Sequence, residues 1–376
     1  MKTICMITTS EIFHDTRILN EANTLSKSYQ VTILAKKYSR QAAKRYPFRI
    51  KLIDYRQFGF SQLNIFSSFI ELIRAALKEN PDVFHGHDLD GLLCCFYPAF
   101  RKRKILIYDS HELWSDTYPF SNLRGIQWFL PILEKLLIWR VRQGITVNCS
   151  LARFLSKKYG KGFLALYNVA QANNLGKSRF DLRRKFPGKK IILHLGSADE
   201  GRGLEQMIEA MKFLPERFCL VFIGGGKTES QAKELVDKLN LKNRVRFFPA
   251  VLPKDITSTI AEADLALALT QNVSKSYFLS SPNKIFQYLS AKLPILGSNF
   301  PEFKKIIRQK NADSADKIGE VVDPAKPALI AKAMIKMTAA INQQKYRKNL
   351  QKLSKTKYNW DVESQKLIKF YEEVFR

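Results

Sequence analysis

The stretch S-S-P-N-K-I-F-Q-Y-L-S-A-K-L-P-I-L-G-S-N, residues 280–299, predicts a short helix followed by a short buried strand. Pro282 fits the first turn of a helix, where its missing N–H costs little, and the neighbouring serines and Asn283 are suited to cap it. Apolar residues follow at helical spacing, and the run P-I-L-G after them predicts a strand. We expect a helix over 283–292, packed against that strand as in a parallel α/β sheet.

The same alternation extends from this stretch in both directions. Towards the amino terminus, strands are predicted at T-I-C-M-I-T-T, V-T-I-L-A, D-V-F-H-G-H and I-L-I-Y-D-S, and amphipathic helices lie between them. Beyond residue 187 the alternation restarts with K-I-I-L-H-L-G and F-C-L-V-F-I-G-G-G. Short apolar strands separated by helices predict doubly wound parallel sheets.

Length and a break in the pattern predict two domains. The chain has 376 residues, more than one hydrophobic core usually organises. Residues 171–187 are polar, lack a clear period and end in Pro-Gly, which predicts a linker. Ligands of such α/β domains bind at the carboxyl ends of the strands, so we expect the ligand site in a cleft that the two domains face.

The charge of the chain indicates an anionic partner. There are 62 Lys and Arg against 34 Asp and Glu, a formal net charge of +28. The excess lies in both halves, and no basic tail, zinc-finger spacing or aromatic RNA-binding motif accompanies it, so we expect no nucleic-acid partner. The basic run Arg101–Lys104 is expected to be a solvated turn.

One apolar segment leaves two interpretations open. Residues 126–142, I-Q-W-F-L-P-I-L-E-K-L-L-I-W-R-V-R, have apolar side chains at helical spacing. A helix that faces the core is favoured, because most such stripes do. The alternative is an interfacial helix on an anionic membrane. No window approaches 18 uninterrupted apolar residues, so we predict no membrane span.

The cysteines and the amino terminus predict a cytoplasmic protein. The five cysteines lie in apolar stretches without metal spacing, and we expect them to be reduced core residues. Met1–Ser10 has an apolar stretch without a cleavage-type site, so we expect a first strand and not a signal peptide.

Two glycine-rich strand ends in the second half suit a phosphate group. In L-H-L-G-S-A-D-E-G-R-G, Gly196 ends a strand and Arg202-Gly203 opens a helix, so backbone N–H groups and one Arg can approach an anion. A plain strand-to-helix turn explains the glycines equally well. The run at Gly224–Gly226 does not fit G-x-G-x-x-G. Lys284, near a helix N-terminus, suits a diphosphate or a sugar.

Polar residues in the first half follow several strands. His87 with Asp88, and His111 with Glu112, come from strand ends and are expected to converge on one cleft. We predict no metal site, because two His–acid pairs without a further close ligand resemble neither a closed nor an open zinc site. Asp15 and Arg17 have a simpler alternative, an exposed pair on one helix.

The order and spacing of these motifs are shared with a known family. They are D-x-R-x-x-x-E-A (Asp15–Ala22), H-D (His87–Asp88), D-x-H-E (Asp109–Glu112), Asn168, L-G-S…R-G (Leu195–Gly203), I-G-G-G (Ile223–Gly226), A-D (Ala263–Asp264) and P-N-K-I-F-Q-Y-L (Pro282–Leu289). The chain thereby resembles glycosyltransferase family 4, the retaining, metal-independent sugar transferases of the GT-B fold, over nearly its whole length.

The resemblance implies which substrate each domain binds. Two Rossmann-like, doubly wound α/β domains would face each other across a cleft. Residues 1–170 would bind the acceptor and residues 171–358 the nucleotide-sugar. Trp360 and the helix after it, about 359–376, resemble the segment that crosses back to the first domain.

The resemblance also implies roles for residues, with no cofactor and no metal. The catalytic residues would be His111, Arg202 and Lys284. The donor would be bound by Gly196, Ser197, Arg202, Gly224, Gly225, Ser281, Pro282, Asn283, Lys284 and Gln287. The acceptor would be bound by Asp15, Arg17, His87, Asp88 and Glu112.

The sequence departs from the family pattern in the donor site. Leu279 and Gln287 stand where the family carries paired glutamates, and Ser197 where many relatives carry Arg. Gln287 can still bond ribose hydroxyls, although charge-assisted hydrogen bonds are about twice as strong.

The expected function is transfer of a hexosyl or N-acetylhexosaminyl group from a UDP- or GDP-type donor to a hydroxyl of a glycan or lipid-linked acceptor, in cell-surface polysaccharide assembly. The basic surface would hold the enzyme on the inner face of the cell membrane. One alternative is a catalytically inactive GT-B scaffold protein; another is a nucleotide-sugar 2-epimerase, whose chemistry wants carboxylates and histidines that the second domain offers sparsely. No feature indicates an oligomeric state.

Overall fold

The chain forms two compact units, each built around one parallel sheet. The computed structural model describes residues 1–38, 46–116, 124–169, 176–309 and 316–376. The first unit comprises Met1–Tyr167 and Glu363–Arg376, and the second comprises Asn168–Val362.

The first unit contains a seven-stranded sheet in the order β3-β2-β1-β4-β5-β6-β7, with every neighbouring pair parallel. Its strands are β1 (Thr3–Thr8), β2 (Gln30–Lys36), β3 (Arg49–Ile53), β4 (Val83–His87), β5 (Ile105–Ser110), β6 (Gln143–Thr146) and β7 (Phe163–Ala165). Its helices are α1 (Thr16–Leu25), α2 (Ser61–Lys78), α3 (Asp88–Arg101), α4 (Arg124–Ile138) and α5 (Cys149–Tyr159), together with α15 (Trp360–Val374), which begins in the second unit. Helices α2, α3 and α4 bury apolar side chains against one face of the sheet.

The second unit contains a six-stranded sheet in the order β10-β9-β8-β11-β12-β13, also parallel throughout. Its strands are β8 (Lys190–Leu195), β9 (Phe218–Ile223), β10 (Val245–Phe248), β11 (Leu265–Ala268), β12 (Ile295–Ser298) and β13 (Gly319–Val322). Its helices are α6 (Leu182–Lys185), α7 (Leu204–Ala210), α8 (Glu229–Lys238), α9 (Pro253–Ile260), α10 (Lys275–Leu279), α11 (Lys284–Ser290), α12 (Pro301–Ile307), α13 (Pro327–Met337) and α14 (Ala340–Thr356).

Strand order places one switch point in each sheet. The chain runs outward from β1 to β3 and then returns to β4, on the other side of β1; β8 and β11 have the same relation. In open parallel sheets, ligands bind outside the carboxyl ends of the strands at such a point. We therefore expect a ligand site at the loops after β1 and β4 in the first sheet, and another at the loops after β8 and β11 in the second sheet.

The predicted linker over 171–187 is wrong for its second part. Residues 170–175 lie outside the described residues, and the remainder contains α6 and belongs to the second unit. The Leu182 N–H donates to Glu262 Oε2 at 2.5 Å, and the Arg183 guanidinium donates twice to the Asp264 carboxylate at 3.0 Å. Leu182 is fully buried and Phe186 is 9% exposed, so two apolar side chains hold a segment whose composition is otherwise that of a loop.

The helix of the opening stretch is shorter than predicted. It runs over Lys284–Ser290, so Pro282 precedes it, and Asn283 stands at the N-cap without a side-chain capping hydrogen bond. Capping by the Asn283 side chain was thus a wrong expectation. The Asn283 backbone carbonyl instead accepts the Phe286 and Gln287 N–H groups at 3.0 and 3.2 Å.

All five cysteines are free thiols, and four are buried as predicted; Cys149, on the first turn of α5, is only partly buried. Among the described residues, no helix has the length and apolar character needed to cross a membrane.

Candidate functional site

A buried ion pair lies at the carboxyl end of β5. The Asp109 carboxylate accepts Arg17 Nε at 3.0 Å and Nη2 at 2.8 Å, and Arg17 Nη1 donates to the Leu166 carbonyl at 2.7 Å. Arg17 is 2% exposed and Asp109 is fully buried. Burial alone would raise the pKa of Asp109, but Arg17 and His111 hold it well below its usual range. Because Arg17 lies on α1 and Asp109 on β5, the pair joins these two elements. Removing one partner would leave the other charged and buried, which is destabilising.

His111 is held between two carboxylates. Its Nε2 lies 3.2 Å from Asp109 Oδ2 and its Nδ1 lies 3.4 Å from Asp88 Oδ2. Burial would lower the pKa of His111, but Asp88 and Asp109 overcome it and raise the pKa to about 10. The imidazole is therefore a cation near neutral pH, with both nitrogens occupied. It is suited to supply a fixed positive charge and not to act as a general base.

Asp88 has a strained backbone where it holds His111. Its φ of 60° lies in the left-handed region, which costs a non-glycine residue about 1–3 kcal/mol. Asp88 Oδ1 accepts the His111 backbone N–H and Trp114 Nε1, each at 2.9 Å. These bonds tie the end of β4 to the loop after β5, next to the β1/β4 switch point.

Four buried groups beneath His111 form the one arrangement, among the described residues, whose atoms could hold a metal ion. They are Glu21, His85, His87 and Asp109, and one ligand atom from each lies within 4.8 Å of the others. The groups fit a metal poorly, however, because Arg17 already pairs with both acids. Burial and the neighbouring Asp109 also raise the pKa of Glu21 well above its usual range, which favours its neutral form. Because Arg17 already occupies both acids of this group, we derive no step through a metal.

The structure brings the predicted acceptor residues together but buries two of them. His87 is 1% exposed, and its ring stacks on that of His85 at 4.3 Å and meets that of His111 at 5.5 Å. As they stand, neither Arg17 nor His87 can touch an acceptor, which corrects that expectation; they hold Asp109 and His111 in place. The alternative of an exposed Asp15–Arg17 pair is also wrong, because Arg17 is buried.

The remaining acceptor residues lie in the loops at the strand ends. Asp15 is the N-cap of α1, where its carboxylate accepts the Ile18 N–H at 3.2 Å and the Ser10 hydroxyl at 3.1 Å. Glu112 is partly exposed in the loop after β5. With Asp88, these are the predicted acceptor residues that solvent reaches.

In the second unit, the two glycine-rich strand ends pack backbone to backbone. A Cβ on Gly224, whose φ is 138°, would lie 2.1 Å from the Gly196 carbonyl oxygen. The Ala198 N–H donates to the Gly225 carbonyl at 3.0 Å. Glycine is required at Gly224 for this close approach, which brings the loops after β8 and β9 together.

Lys284 and His194 meet beneath the loop after β8. Lys284 Nζ lies 3.2 Å from His194 Nε2, and it is the nearest atom, at 3.3 Å, to the position that a Cβ on Gly196 would take. Burial, reinforced by the charges of Lys284 and Arg202, keeps the pKa of His194 well below its usual range, so the ring is a neutral acceptor. Burial and Arg202 lower the pKa of Lys284 to about 7.

Arg202 lies in the loop that leads from β8 to α7. Its guanidinium sits 4.8 Å from the Tyr277 ring centroid, and its Nε has no hydrogen-bond partner among the described residues. The Gly201 carbonyl accepts the Gln271 N–H at 2.8 Å, which fixes this loop to the one after β11. Two cations without a carboxylate partner in the described chain therefore lie close together at the β8/β11 switch point.

The other predicted donor residues surround this point. Ser281 is buried, Ser197, Pro282 and Gln287 are partly buried, and Asn283 is exposed. Sequence reasoning missed His194 and Tyr277, which lie inside a strand and a short helix. The only available signal was that a histidine is unusual in a strand as apolar as K-I-I-L-H-L.

A cavity of about 650 Å³ lies next to the Arg202 loop in the second unit. Its walls include Asp199, Glu200 and Glu205, together with side chains of α8. Neither Lys284 nor Arg202 lines it, and carboxylates repel phosphate. The two cations are therefore better suited to an anionic ligand than this cavity is.

Two family profiles match the chain. Glycosyltransferase Family 4 matches residues 15–162, and Glycosyl transferases group 1 matches residues 178–357. The chain belongs to glycosyltransferase family 4. This confirms the resemblance seen in the sequence, and each profile falls within one structural unit of the family 4 protein.

A curated relative and several solved structures resemble this family 4 protein. It is 25% identical over 202 residues to a Bacillus subtilis (strain 168) protein named Uncharacterized glycosyltransferase YqgM. That match covers 52% of this chain and 55% of YqgM, so the chain spans about half the length of its relative.

The structural likenesses cover nearly the whole chain. Anabaena HepE, solved in complex with UDP, has a TM-score of 0.74 at 13% identity, covering 99% of this chain and 100% of HepE. Sucrose-phosphate synthase from Thermosynechococcus elongatus has a TM-score of 0.75 at 14% identity, covering 100% of this chain and 99% of the synthase chain. WaaG, a glycosyltransferase involved in lipopolysaccharide biosynthesis, has a TM-score of 0.67 at 15% identity, covering 98% of each chain. These likenesses, with the two parallel sheets, confirm the predicted GT-B fold.

Proposed function

We propose that this protein is a retaining, metal-independent glycosyltransferase that moves a hexosyl or N-acetylhexosaminyl group from a UDP- or GDP-sugar to a hydroxyl of a glycan or lipid-linked acceptor. The donor binds to the second unit, and Asp15, Asp88 and Glu112 of the first unit contact the acceptor. The reaction belongs to cell-surface polysaccharide assembly and takes place at the inner face of the cell membrane.

The observation that carries the donor proposal is the pair of cations, Arg202 and Lys284, at the β8/β11 switch point. Among the described residues neither group has a carboxylate partner, and burial and Arg202 lower the pKa of Lys284, so an anion bound between them would stabilise both charges. A diphosphate matches this need, since it places two negative groups in one ligand. The UDP complex of HepE, a protein of the same fold, is in keeping with this choice.

The residues present also suit departure of a diphosphate with retention of configuration. The cations stabilise the charge that develops on the leaving phosphate. Leu279 and Gln287 provide no carboxylate nucleophile beside Lys284, so we assign deprotonation of the acceptor hydroxyl to the leaving phosphate itself. His111 supplies a fixed positive charge, because both of its nitrogens are occupied.

Calorimetric titration with a panel of nucleoside diphosphates tests the donor proposal. We expect one base to bind, and Arg202→Met and Lys284→Met each to weaken binding by about 10- to 100-fold, the range of a charged hydrogen bond. Lys238→Met is the matched control, because Lys238 is exposed on α8 and its replacement should leave affinity unchanged. If no nucleoside diphosphate binds, the proposal fails.

Product analysis tests the reaction itself. The anomeric configuration of the product, measured by NMR, should equal that of the donor, and excess EDTA should leave the rate unchanged. An inverted product or a chelator-sensitive rate would contradict the proposal.

Leu279 and Gln287 favour one competing function, an inactive scaffold in a glycan-assembly complex. Such a protein would bind nucleotide and never release a sugar. We expect the purified wild-type protein to hydrolyse the donor above background and Lys284→Met to lose this hydrolysis. That result would exclude an inactive scaffold.

A further inference from the structure

Helix α4 carries apolar side chains on two faces. Leu137 and Ile138 are buried against the sheet. Four large apolar side chains point the other way, and we call them the α4 stripe: Phe129, Ile132, Leu136 and Trp139, exposed by 60, 57, 63 and 70% respectively. Their spacing of three and four residues places them on one side of the helix and its C-terminal turn.

Helix α3, which packs beside α4, also exposes apolar side chains. Tyr97 and Phe100 near its C-terminal end are 48 and 54% exposed. Single exposed apolar residues are ordinary, but a contiguous group of this kind marks an interaction surface.

Basic groups surround the Trp139 end of the stripe. Arg140 Nη2 donates to the Lys104 carbonyl at 3.4 Å, and Lys161 Nζ donates to the Trp139 carbonyl at 3.5 Å, so the basic turn after α3 lies next to Trp139. Arg101 and Arg103 in that turn are exposed, as is Lys135 within α4.

The acidic residue of α4 does not offset this charge. Glu134 is fully buried, where it accepts hydrogen bonds from Tyr108, Tyr159 and Lys158. The outward surface of α4 is therefore apolar and basic, with a tryptophan at one end, the composition of a helix that lies in the plane of an anionic bilayer.

We propose that the α4 stripe and the basic turn Arg101–Lys104 form a membrane-docking surface, whose occupant is a bilayer of anionic phospholipid. The stripe enters the acyl boundary, and Arg101, Arg103 and Arg140 contact lipid phosphates. A second copy of this chain is disfavoured as occupant, because two basic surfaces repel each other. The proposal extends the membrane location given above, but it does not depend on sugar transfer.

Vesicle binding by the full-length protein tests the surface. We expect binding to vesicles of phosphatidylcholine with phosphatidylglycerol, and little binding to phosphatidylcholine alone. The double variant Ile132→Ser/Leu136→Ser should partition into the mixed vesicles at least about tenfold more weakly, since two exposed apolar side chains no longer enter the bilayer. Both positions are exposed, so the variant is expected to fold, which circular dichroism checks.

The second unit offers a matched control. Phe213 and Ile341 are 54 and 78% exposed, and Phe213→Ser/Ile341→Ser should leave vesicle binding unchanged. Arg101→Glu/Arg103→Glu should abolish the preference for anionic lipid. Brominated lipid should quench tryptophan fluorescence in the wild type and much less in Trp139→Phe.

Three results would overturn the proposal. They are failure of the wild type to bind anionic vesicles, binding unaffected by the stripe variant, and a dimer in analytical ultracentrifugation that the stripe variant abolishes. The first two hold whether or not the protein binds nucleotide, so they are distinguishable from failure of the proposed donor site.

Discussion

At the scale of single residues, a bound anion should change the protonation state of Lys284. In the free protein its pKa of about 7 leaves a mixture of ammonium and amine at neutral pH, and the neutral His194 ring holds the nitrogen in place. A bound phosphate next to Lys284 favours the ammonium. Diphosphate binding is therefore coupled to proton uptake.

This coupling predicts a pH dependence of affinity. Above pH 7 the free protein loses the Lys284 proton, which binding must restore, so the Kd for the nucleoside diphosphate should rise by up to about tenfold per pH unit; below pH 7 this effect disappears. Titration from pH 6 to 9 measures it. Lys284→Arg keeps its charge across this range and should give a flat profile. Equal slopes in the two proteins would exclude Lys284 as the cause.

Asp109 allows a test of the buried pair. Asp109→Asn removes the carboxylate that accepts Arg17 Nε and Nη2 and leaves Glu21 as the remaining acid beside the buried guanidinium, which should lower the free energy of unfolding by about 3–5 kcal/mol. Asp316→Asn is the control, because its pair with Lys352 is exposed and worth about 0–1 kcal/mol. Urea denaturation compares the two. Similar losses in both variants would contradict this account of Arg17.

The sequence could not predict which side chains of the candidate site contact each other. Arg17 and Asp109 are 92 positions apart, and His194 and Lys284 are 90 apart. Periodicity carries no information on such contacts, because it describes only one element at a time. Positions near strand ends were predictable, because a parallel sheet collects its carboxyl ends on one edge.

At the scale of elements, the loops after β8 and β9 depend on each other. Gly224 and Gly196 approach so closely that a methyl group cannot enter between them. The loop after β8 also carries Arg202 and lies against Lys284. A substitution of Gly224, in the loop after β9, should therefore affect the positions of the two cations.

Gly224→Ala tests this dependence. Its positive φ and the 2.1 Å approach to the Gly196 carbonyl should cost about 1–3 kcal/mol of stability and weaken nucleotide binding. Gly162→Ala is the matched control, because a Cβ there meets nothing within 4 Å. Thermal unfolding and calorimetry measure both effects. Unchanged binding by Gly224→Ala would separate the loop from the donor site.

Element types were largely predictable, and the exceptions have physical reasons. A parallel strand buried on both faces is a continuous apolar run, which identified strands such as β8 and β9. Periodicity did not identify helix α6, because two buried apolar residues, Leu182 and Phe186, anchor an otherwise polar segment. For α4, the sequence left the core-facing and interfacial interpretations open. The structure shows a buried and an exposed apolar face, because apolar residues cover too much of the helix circumference for periodicity to separate the two interpretations.

At the scale of the whole molecule, helix α15 completes the first sheet unit although the second unit precedes it in the chain. Leu367 and Tyr371 are fully buried, and Tyr371 Oη lies 2.7 Å from His85 Nδ1. The Tyr167 N–H donates to the buried Glu363 carboxylate at 3.0 Å. The last turns of the chain are thus part of the core beneath the candidate site.

Hydrogen exchange should reveal this arrangement. Leu367→Ala creates a cavity in the first unit and should cost about 2–5 kcal/mol. Amide protection should fall in β1 and β4 and remain in β8 and β9. Leu350→Ala, at a fully buried position of α14, should lower amide protection in β8 and β9 and leave it unchanged in β1 and β4. A uniform loss of protection in either variant would show that the chain unfolds as one unit.

The position of α15 also fixes an order of events during synthesis. The first unit has all of its strands early, yet it lacks helix α15 until the second unit has been synthesised. The second unit is complete before the first, reversing the usual order in which amino-terminal domains mature first. The cluster around Asp109 and His111 therefore acquires its full surroundings only after α15 has been made, so a chain interrupted before Glu363 cannot assemble that cluster in its final form.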